Sequence, residues 1–363
     1  MTRSIAGCVK LAAAAAMLAA FVTAPLSMAQ AQERLRWQVP MAFPSSMAAL
    51  GDTLPWVARR LAEASGDRIR LQVFEPGTLI PAQAIFEHVS QGRVPAGYSW
   101  MGYEWDRIPA AALFGAVPFG LEPPAFMAWM YFQGGKELLR ELYEPHNVHP
   151  ILCGAIGPEA AGWFRFELTS PEQLQGLRIR AAGLGGEVMA ELGMSVTLLP
   201  GGEMYEALAR GDLDAIEFSL PSIDEQLGFH QVADYFYMPG WHQPGSYLYL
   251  YVNLAAWRGL EPQAQALIET SCTAAVTMSL ARAEALQGAA LKRLEERGVK
   301  LVEFDDRFLQ AFREATARVM ARRSSQDPDF AKVHAAMSAF QQEHAPWKRL
   351  GYLPRDPETA GGE

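Results

Sequence analysis

The segment Ile85-Phe-Glu-His-Val-Ser-Gln-Gly92-Arg-Val-Pro-Ala96 aligns without gaps on Met204-Tyr-Glu-Ala-Leu-Ala-Arg-Gly211-Asp-Leu-Asp-Ala215. Glu87, Gly92 and Ala96 match Glu206, Gly211 and Ala215, and apolar positions coincide. In each copy a helical stretch stops at a glycine, the residue that most readily takes the left-handed conformation closing a helix, and the chain then turns into a strand. Helix-glycine-strand also recurs by chance, so the match alone leaves that alternative open. As a repeat, it predicts two lobes built alike, each aiming a strand end at a shared cleft, with Tyr98 and Glu217 in equivalent places.

The flanking sequence fits an α/β chain. Leu35 to Val39 reads as a strand, Gly51 to Ala64 as a helix with Pro55 in its first turn, Arg68 to Phe74 as a strand and Pro81 to Gln91 as a helix, the rhythm of a mostly parallel sheet. From Glu261 to Arg297 only Pro262 at the start and Gly288 inside interrupt a run rich in Ala, Leu, Glu and Arg. At 1.5 Å per residue this single helix exceeds about 50 Å, longer than one small domain, and is expected to lie across both lobes. A strand follows at Val299 to Phe304, then helices from Asp306 to about Arg323 and from Asp329 to His344, with a frayed tail after Pro354.

Residues 1–31 read as a signal peptide: Arg3 and Lys10 precede an apolar run, Leu11 to Val22, too short to span a bilayer and followed by small residues. Cleavage falls after Ala29 or Ala31, and Cys8 stands before the apolar run, which argues against lipidation. That places the mature protein, about 330 residues and enough for two ordinary α/β domains, in the periplasm. Ala110 to Met130 is apolar but broken by Pro118, Glu122, Pro123 and Pro124, so no second membrane segment is expected. The formal charge of −9 argues against nucleic acid, which demands clustered Lys and Arg. Cys153 and Cys272 could bond in an oxidising compartment, but two buried free thiols is the favoured expectation.

Enzyme signatures are missing: there is no GxSxG, HExxH or Walker loop, and Gly183-Leu-Gly185-Gly186 fails the dinucleotide pattern at Val188. His146 and His149 lie among prolines and are not expected to bind metal. What remains suits an anion. The strand Gly176-Leu-Arg178-Ile-Arg180 sends both arginines to one face beside a glycine-rich turn that opens a helix, and a guanidinium holds a carboxylate in two parallel hydrogen bonds. The alternative for either arginine is a surface charge. Leu199-Pro200-Gly201-Gly202-Glu203 likewise opens a helix with free N–H groups. Glu217 follows Ile216 in the strand Leu213 to Phe218, where a carboxylate demands a cation or firm donors unless it faces water. The aromatic loop Tyr235 to Gly245 could bring Trp241 to a ligand or into the core.

With these residues the chain resembles the solute-binding subunits of tripartite ATP-independent periplasmic (TRAP) transporters, closest to the α-keto acid-binding branch, from about Trp37 to Tyr352. The carrying motifs are Gly183-Leu-Gly-Gly-Glu187, Leu199-Pro-Gly-Gly-Glu203, Gly211-Asp-Leu-Asp-Ala215-Ile-Glu217-Phe218, Pro239-Gly-Trp-His-Gln-Pro-Gly245 and Phe114-Gly-Ala-Val-Pro-Phe-Gly120. The resemblance implies a two-lobed periplasmic binding-protein fold: lobe I over 32–153 with part of 246–300, lobe II over 154–245, a lobe-spanning helix over 261–297, and a C-terminal strand and helices over 298–354. It implies capture of a small monocarboxylate, a 2-oxo acid such as pyruvate or a 2-hydroxy acid, anchored by Arg180 beside Na⁺ or Ca²⁺. By match, the substrate meets Arg180, Tyr103, Glu159, Trp241 and Gln243, and the metal is held by Glu217, the carbonyl of Phe218, Gln243 and Glu159.

Position 159 is Glu where the branch generally has Gln, 243 is Gln where it has Glu, and Phe218 replaces a Trp. The two exchanges cancel in charge and are expected to keep a doubly negative cation site while moving one carboxylate across it. Oxygen ligands of this kind suit sodium or calcium better than zinc. The implied partners are the membrane subunits of the transporter, and the segment Asp329 to Tyr352 is a candidate homodimer contact. The competing readings are a periplasmic metal-dependent enzyme using Glu159 and Glu217, and a ligand-sensing receptor subunit.

Overall fold

A computed structural model describes residues 34–199 and 201–352. The expected signal peptide, the tail after Pro354 and Pro200 lie outside these residues. The strands are β1 (Leu35–Pro40), β2 (Ile69–Phe74), β3 (Ala96–Trp100), β4 (Val148–Ile156), β5 (Gly162–Phe164), β6 (Arg178–Arg180), β7 (Ser195–Thr197), β8 (Ala215–Ile216), β9 (Tyr235–Met238), β10 (Ser246–Asn253) and β11 (Lys300–Glu303). They form sheets of order β1-β2, β3-β10-β4 and β11-β9-β5-β8-β6-β7. A parallel bridge between Met41 and Tyr98 joins the first two sheets into one lobe, and the six-stranded sheet builds the other.

The internal repeat is visible in this topology. In the first lobe β1 pairs in parallel with β2 and, through the Met41 bridge, runs beside β3. In the second, β6 pairs in parallel with both β7 and β8. The helices Ile85–Ser90 and Gly201–Arg210 feed β3 and β8, and Gly92 and Gly211 both close the turn with left-handed backbones, φ +70° and +77°. Next to β3 lies antiparallel β10, and next to β8 lies antiparallel β5. The chain leaves the first lobe between β4 and β5 and returns between β9 and β10, so both crossings are short backbone segments at the cleft.

The long helix spans Pro262–Glu296, 35 residues, as expected. Its N-terminal part packs on the first lobe, where Ser279 Oγ accepts a hydrogen bond from the Ala155 backbone N–H and Arg282 pairs with Asp52. Toward its C-terminus, Gln287 Oε1 accepts from Ser222 N–H and Arg293 pairs with Glu225 in the second lobe. Small residues on the buried face, including Cys272, Ala275, Ser279 and Ala283, let the helix lie close to β4. The helix Asp306–Gln326 follows, and the last helix, Pro328–Gly351, runs past the expected His344 with Pro346 inside it.

Three expectations are corrected. Cys153 and Cys272 are not free thiols: they form a disulfide, since β4 and the long helix bring their Cα atoms to 4.1 Å across 119 residues of sequence. The strand expected over Leu213 to Phe218 is only Ala215–Ile216, although Asp214 and Glu217 on either side also donate backbone hydrogen bonds to Arg178 O and Arg180 O of β6; Phe218 has left the sheet. Arg178 and Arg180 do not act together. Arg178 stays at the surface, its guanidinium held by Asp214 at 2.6 and 2.9 Å, while Arg180 is 3% exposed.

Among the described residues no helix is long and apolar enough to cross a membrane. The disulfide closes a loop of more than a hundred residues that contains β5 to β9 of the second lobe. Replacing both cysteines with alanine should lower the unfolding free energy by about 2–4 kcal/mol, seen as a lower urea midpoint; an unchanged midpoint would show that the sheet–helix packing alone sets stability here.

Candidate functional site

The two crossings and two strand ends converge on one buried cluster. Arg180 ends β6, and Glu217 follows β8 in the second copy of the repeat. Glu159 lies on the outward crossing; His242 and Gln243 lie on the return crossing, and Ser246 opens β10. Backbone bonds hold the crossings together: Glu159 N–H donates to Gln243 O at 3.1 Å, Ala160 N–H to Ser219 O at 3.2 Å and Ala161 N–H to Tyr237 O at 2.8 Å. The side chains thus sit on backbone shared by both lobes.

Arg180 Nη1 donates to the Glu217 carbonyl at 2.6 Å and lies 3.5 Å from its carboxylate Oε2, while Nε donates to Leu199 O at 3.3 Å. Gln243 Nε2 donates to Glu217 Oε1 at 3.1 Å, and His242 Nε2 lies at the same distance from that oxygen. Ser246 Oγ sits 2.8 Å from Glu159 Oε1 and 2.5 Å from Gln243 Oε1. The cluster borders a small cavity of about 30 Å³. Phe43, Leu50, Trp100, Tyr103, Ala182 and Phe218 form its apolar walls; Arg180, Glu159, Glu217, Ser219, Gln243 and Ser246 supply the polar groups. The Arg180 guanidinium lies 5.3 Å from the Phe218 ring centre, and Tyr103 meets Trp100 edge to face.

Two carboxylates in a dry cluster cannot ionise independently. Burial, reinforced by the charge of Glu217, raises the Glu159 carboxyl well above its ordinary range. Burial works against Glu217 as well, but the contacts from His242, Arg180 and Gln243 outweigh it and hold that carboxyl below its ordinary value. Glu159 Oε2, Glu217 Oε2 and the Nδ1 of His242 accept or donate no hydrogen bond, although all are buried. Donor atoms of Glu159, Glu217 and His242 lie within 4.8 Å of one another. Buried, unpartnered oxygens at this spacing fit a bound cation, which would satisfy them and offset the charge.

Six of the seven expected site residues, Tyr103, Glu159, Arg180, Glu217, Phe218 and Gln243, border the cavity. Trp241 does not. Against the expectation of ligand contact, its ring packs between Phe312, centroids 4.3 Å apart, and Phe119 at 5.7 Å, because its neighbours in the loop turn toward the cleft while it faces the first C-terminal helix. Tyr98, the positional equivalent of Glu217, is buried in β3 away from the cavity. Sequence reading missed His242, although it stands inside the quoted aromatic motif, and Ser246 just beyond it. It also missed Asp224, a buried carboxyl accepting from the Trp163 indole N–H at 3.0 Å, which no motif marks.

The model of bacterial extracellular solute-binding proteins, family 7 (DctP), matches residues 45–327. The chain belongs to this family. It is 36% identical over 321 residues, 88% of the chain and 87% of the relative, to the monocarboxylate 2-oxoacid-binding periplasmic protein of Nostoc sp. PCC 7120. Among solved structures, a TRAP solute-binding protein of Bordetella bronchiseptica RB50, a mixed-occupancy dimer with copurified calcium and picolinate in one active site, superposes with TM-score 0.86 at 30% identity, covering 90% of this chain and 96% of that one. One from Pseudoalteromonas atlantica T6c, with bound sodium and pyruvate, gives 0.84 at 30% identity, over 87% and 97%. The family resemblance and the two-lobed α/β fold read from the sequence are therefore borne out.

Burial, backed by the nearby charge of Glu217, pushes the Asp224 carboxyl from 3.8 up to about 8. The unfolded chain releases this proton near pH 4 while the folded chain keeps it, so the folded state loses stability as pH rises from 4 to 8. Asp224→Asn keeps the acceptor for Trp163 and removes that loss. Its melting temperature relative to wild type should rise steadily from pH 4.5 to pH 8; a constant difference would place the Asp224 proton elsewhere.

Proposed function

We propose that this protein is a periplasmic TRAP solute-binding protein that captures a small monocarboxylate, a 2-oxo acid of the pyruvate type or the corresponding 2-hydroxy acid, together with a cation, and delivers it to the membrane subunits of its transporter. The observation that carries this reading is Arg180, a guanidinium buried at the end of β6 that faces a cavity together with two buried carboxylates. An organic carboxylate completes the arginine's hydrogen bonding in the two-pronged way that Lys cannot reproduce. The Nostoc relative, whose name gives 2-oxo acids, and the pyruvate and picolinate carried by the two structures support this ligand class.

Glu159, Glu217, Gln243 and the Phe218 carbonyl would hold the cation, which supplies positive charge next to the ligand's acid group. The rest follows from the lobes. Phe43, Leu50, Trp100 and Tyr103 come from the first lobe and Arg180, Ala182, Glu217 and Phe218 from the second. A ligand touching both walls binds the closed arrangement better than an open one, and its binding energy shifts the population toward closure, the form a membrane partner can recognise. Export through a signal peptide at residues 1–31 follows from the same reading. So does a transport role without turnover, in keeping with the solute-binding family to which the chain belongs. The last helix, which exposes Trp347, Leu350 and Tyr352, is the candidate homodimer surface.

Arg180→Lys keeps the charge that balances Glu217 but loses the fork, so pyruvate affinity measured by calorimetry should fall roughly 10- to 100-fold with little change in melting temperature. A variant that still bound as wild type does would put the acid elsewhere. Metal-stripped protein should bind pyruvate at least about tenfold more weakly than protein supplied with Ca²⁺ or Na⁺; equal affinity would remove the cation from the mechanism.

A further inference from the structure

His242 is 1% exposed; its Nδ1 has no partner, and the polar atom beside its ring is a carboxylate oxygen of Glu217. Its Nε2 lies 3.1 Å from Glu217 Oε1, the separation of two adjacent ligands around a single ion. The ring is seated against the glycine-rich turn that starts the helix Gly183–Glu191: a Cβ at Gly185 would fall 2.9 Å from His242 Cβ and 3.0 Å from Cδ2, so only glycine admits the imidazole there. Two buried carboxylates, each with an oxygen that no hydrogen bond satisfies, stand beside this imidazole, and donor atoms of the three residues lie within 4.8 Å of one another. One ion can take one ligand atom from each of the three.

The geometry also sets the kind of ion. Hard, all-oxygen sets favour calcium or sodium, whereas a neutral imidazole nitrogen shifts preference toward first-row divalent metals.

We infer that His242 is a third protein ligand with Glu159 and Glu217, and that this chain's cation site accepts a divalent transition metal such as Zn²⁺ or Co²⁺. The inference rests on the reading that a cation occupies the ligand site. It adds a nitrogen donor to the oxygen ligands expected from the sequence, alongside calcium or sodium.

The test uses untagged, metal-stripped protein and competition against a chromophoric chelator. His242→Gln offers an amide oxygen in place of Nε2, so it should weaken Zn²⁺ and Co²⁺ binding at least about tenfold while changing Ca²⁺ binding less than about threefold. Wild-type protein loaded with Co²⁺ should show a hyperfine-shifted exchangeable imidazole N–H proton, absent from the variant. That signal also decides the matter if the variant folds poorly. Equal Zn²⁺ affinity in both proteins, or cobalt-loaded wild type without the imidazole signal, overturns the inference while leaving Ca²⁺ and pyruvate binding in place. Wild-type protein that binds none of these metals overturns it together with the cation reading on which it stands.

Discussion

The structure depends on keeping charges of both signs out of water at the place where its two halves meet. Arg180, Glu159 and Glu217 are all at most 3% exposed, and none could be buried alone without a large desolvation cost. The guanidinium is held by the carbonyls of Glu217 and Leu199, and Glu217 is held by Gln243 with His242 alongside. What those contacts leave unmet, two carboxylate oxygens, is what a cation and an organic acid would complete. Such a cluster contributes little to net stability. It trades stability for specificity, since removing any one member leaves the others uncompensated.

The location of the cluster links binding to motion. Glu159, His242 and Gln243 sit on the two segments that carry the chain between lobes, and Glu159 N–H bonds directly to Gln243 O. A change in the angle between lobes would therefore move these side chains themselves. The long helix gives a fixed reference: the Cys153–Cys272 bond and Ser279 tie its first half to the first lobe, and Arg293 reaches Glu225 in the second.

The return crossing is braced from outside the cavity. Phe119 takes a left-handed backbone, φ +55°, unusual for a side chain of that size, and its N–H donates to Trp241 O at 2.8 Å. Its ring lies between Trp241 and the Arg313 guanidinium, 4.1 Å away, while Phe312 covers the far face of Trp241. Trp241 thus positions His242 and Gln243 by packing and does not touch ligand space. An aromatic residue inside a binding motif was read as a contact; the three-dimensional stack shows it as support.

The sequence by itself determined the architecture, because that information is local and periodic. The repeat around Gly92 and Gly211, the long helix from Pro262 and the alternating strand and helix patterns rest on propensity, capping and spacing, which short-range physics sets. It also marked Arg180 and Glu217, since a charge after an apolar strand is anomalous wherever the strand lies. Only the tertiary structure decided what depends on proximity between distant residues: that Cys153 meets Cys272, that Asp214 draws Arg178 to the surface while Arg180 enters the cleft, and that Asp224 sits behind the site. His242 belongs with these. Its identity is plain in the motif, but its place beside Glu217 exists only once the crossing folds back on β8, because electrostatic and metal-binding roles are set by distances in space that sequence separation does not encode.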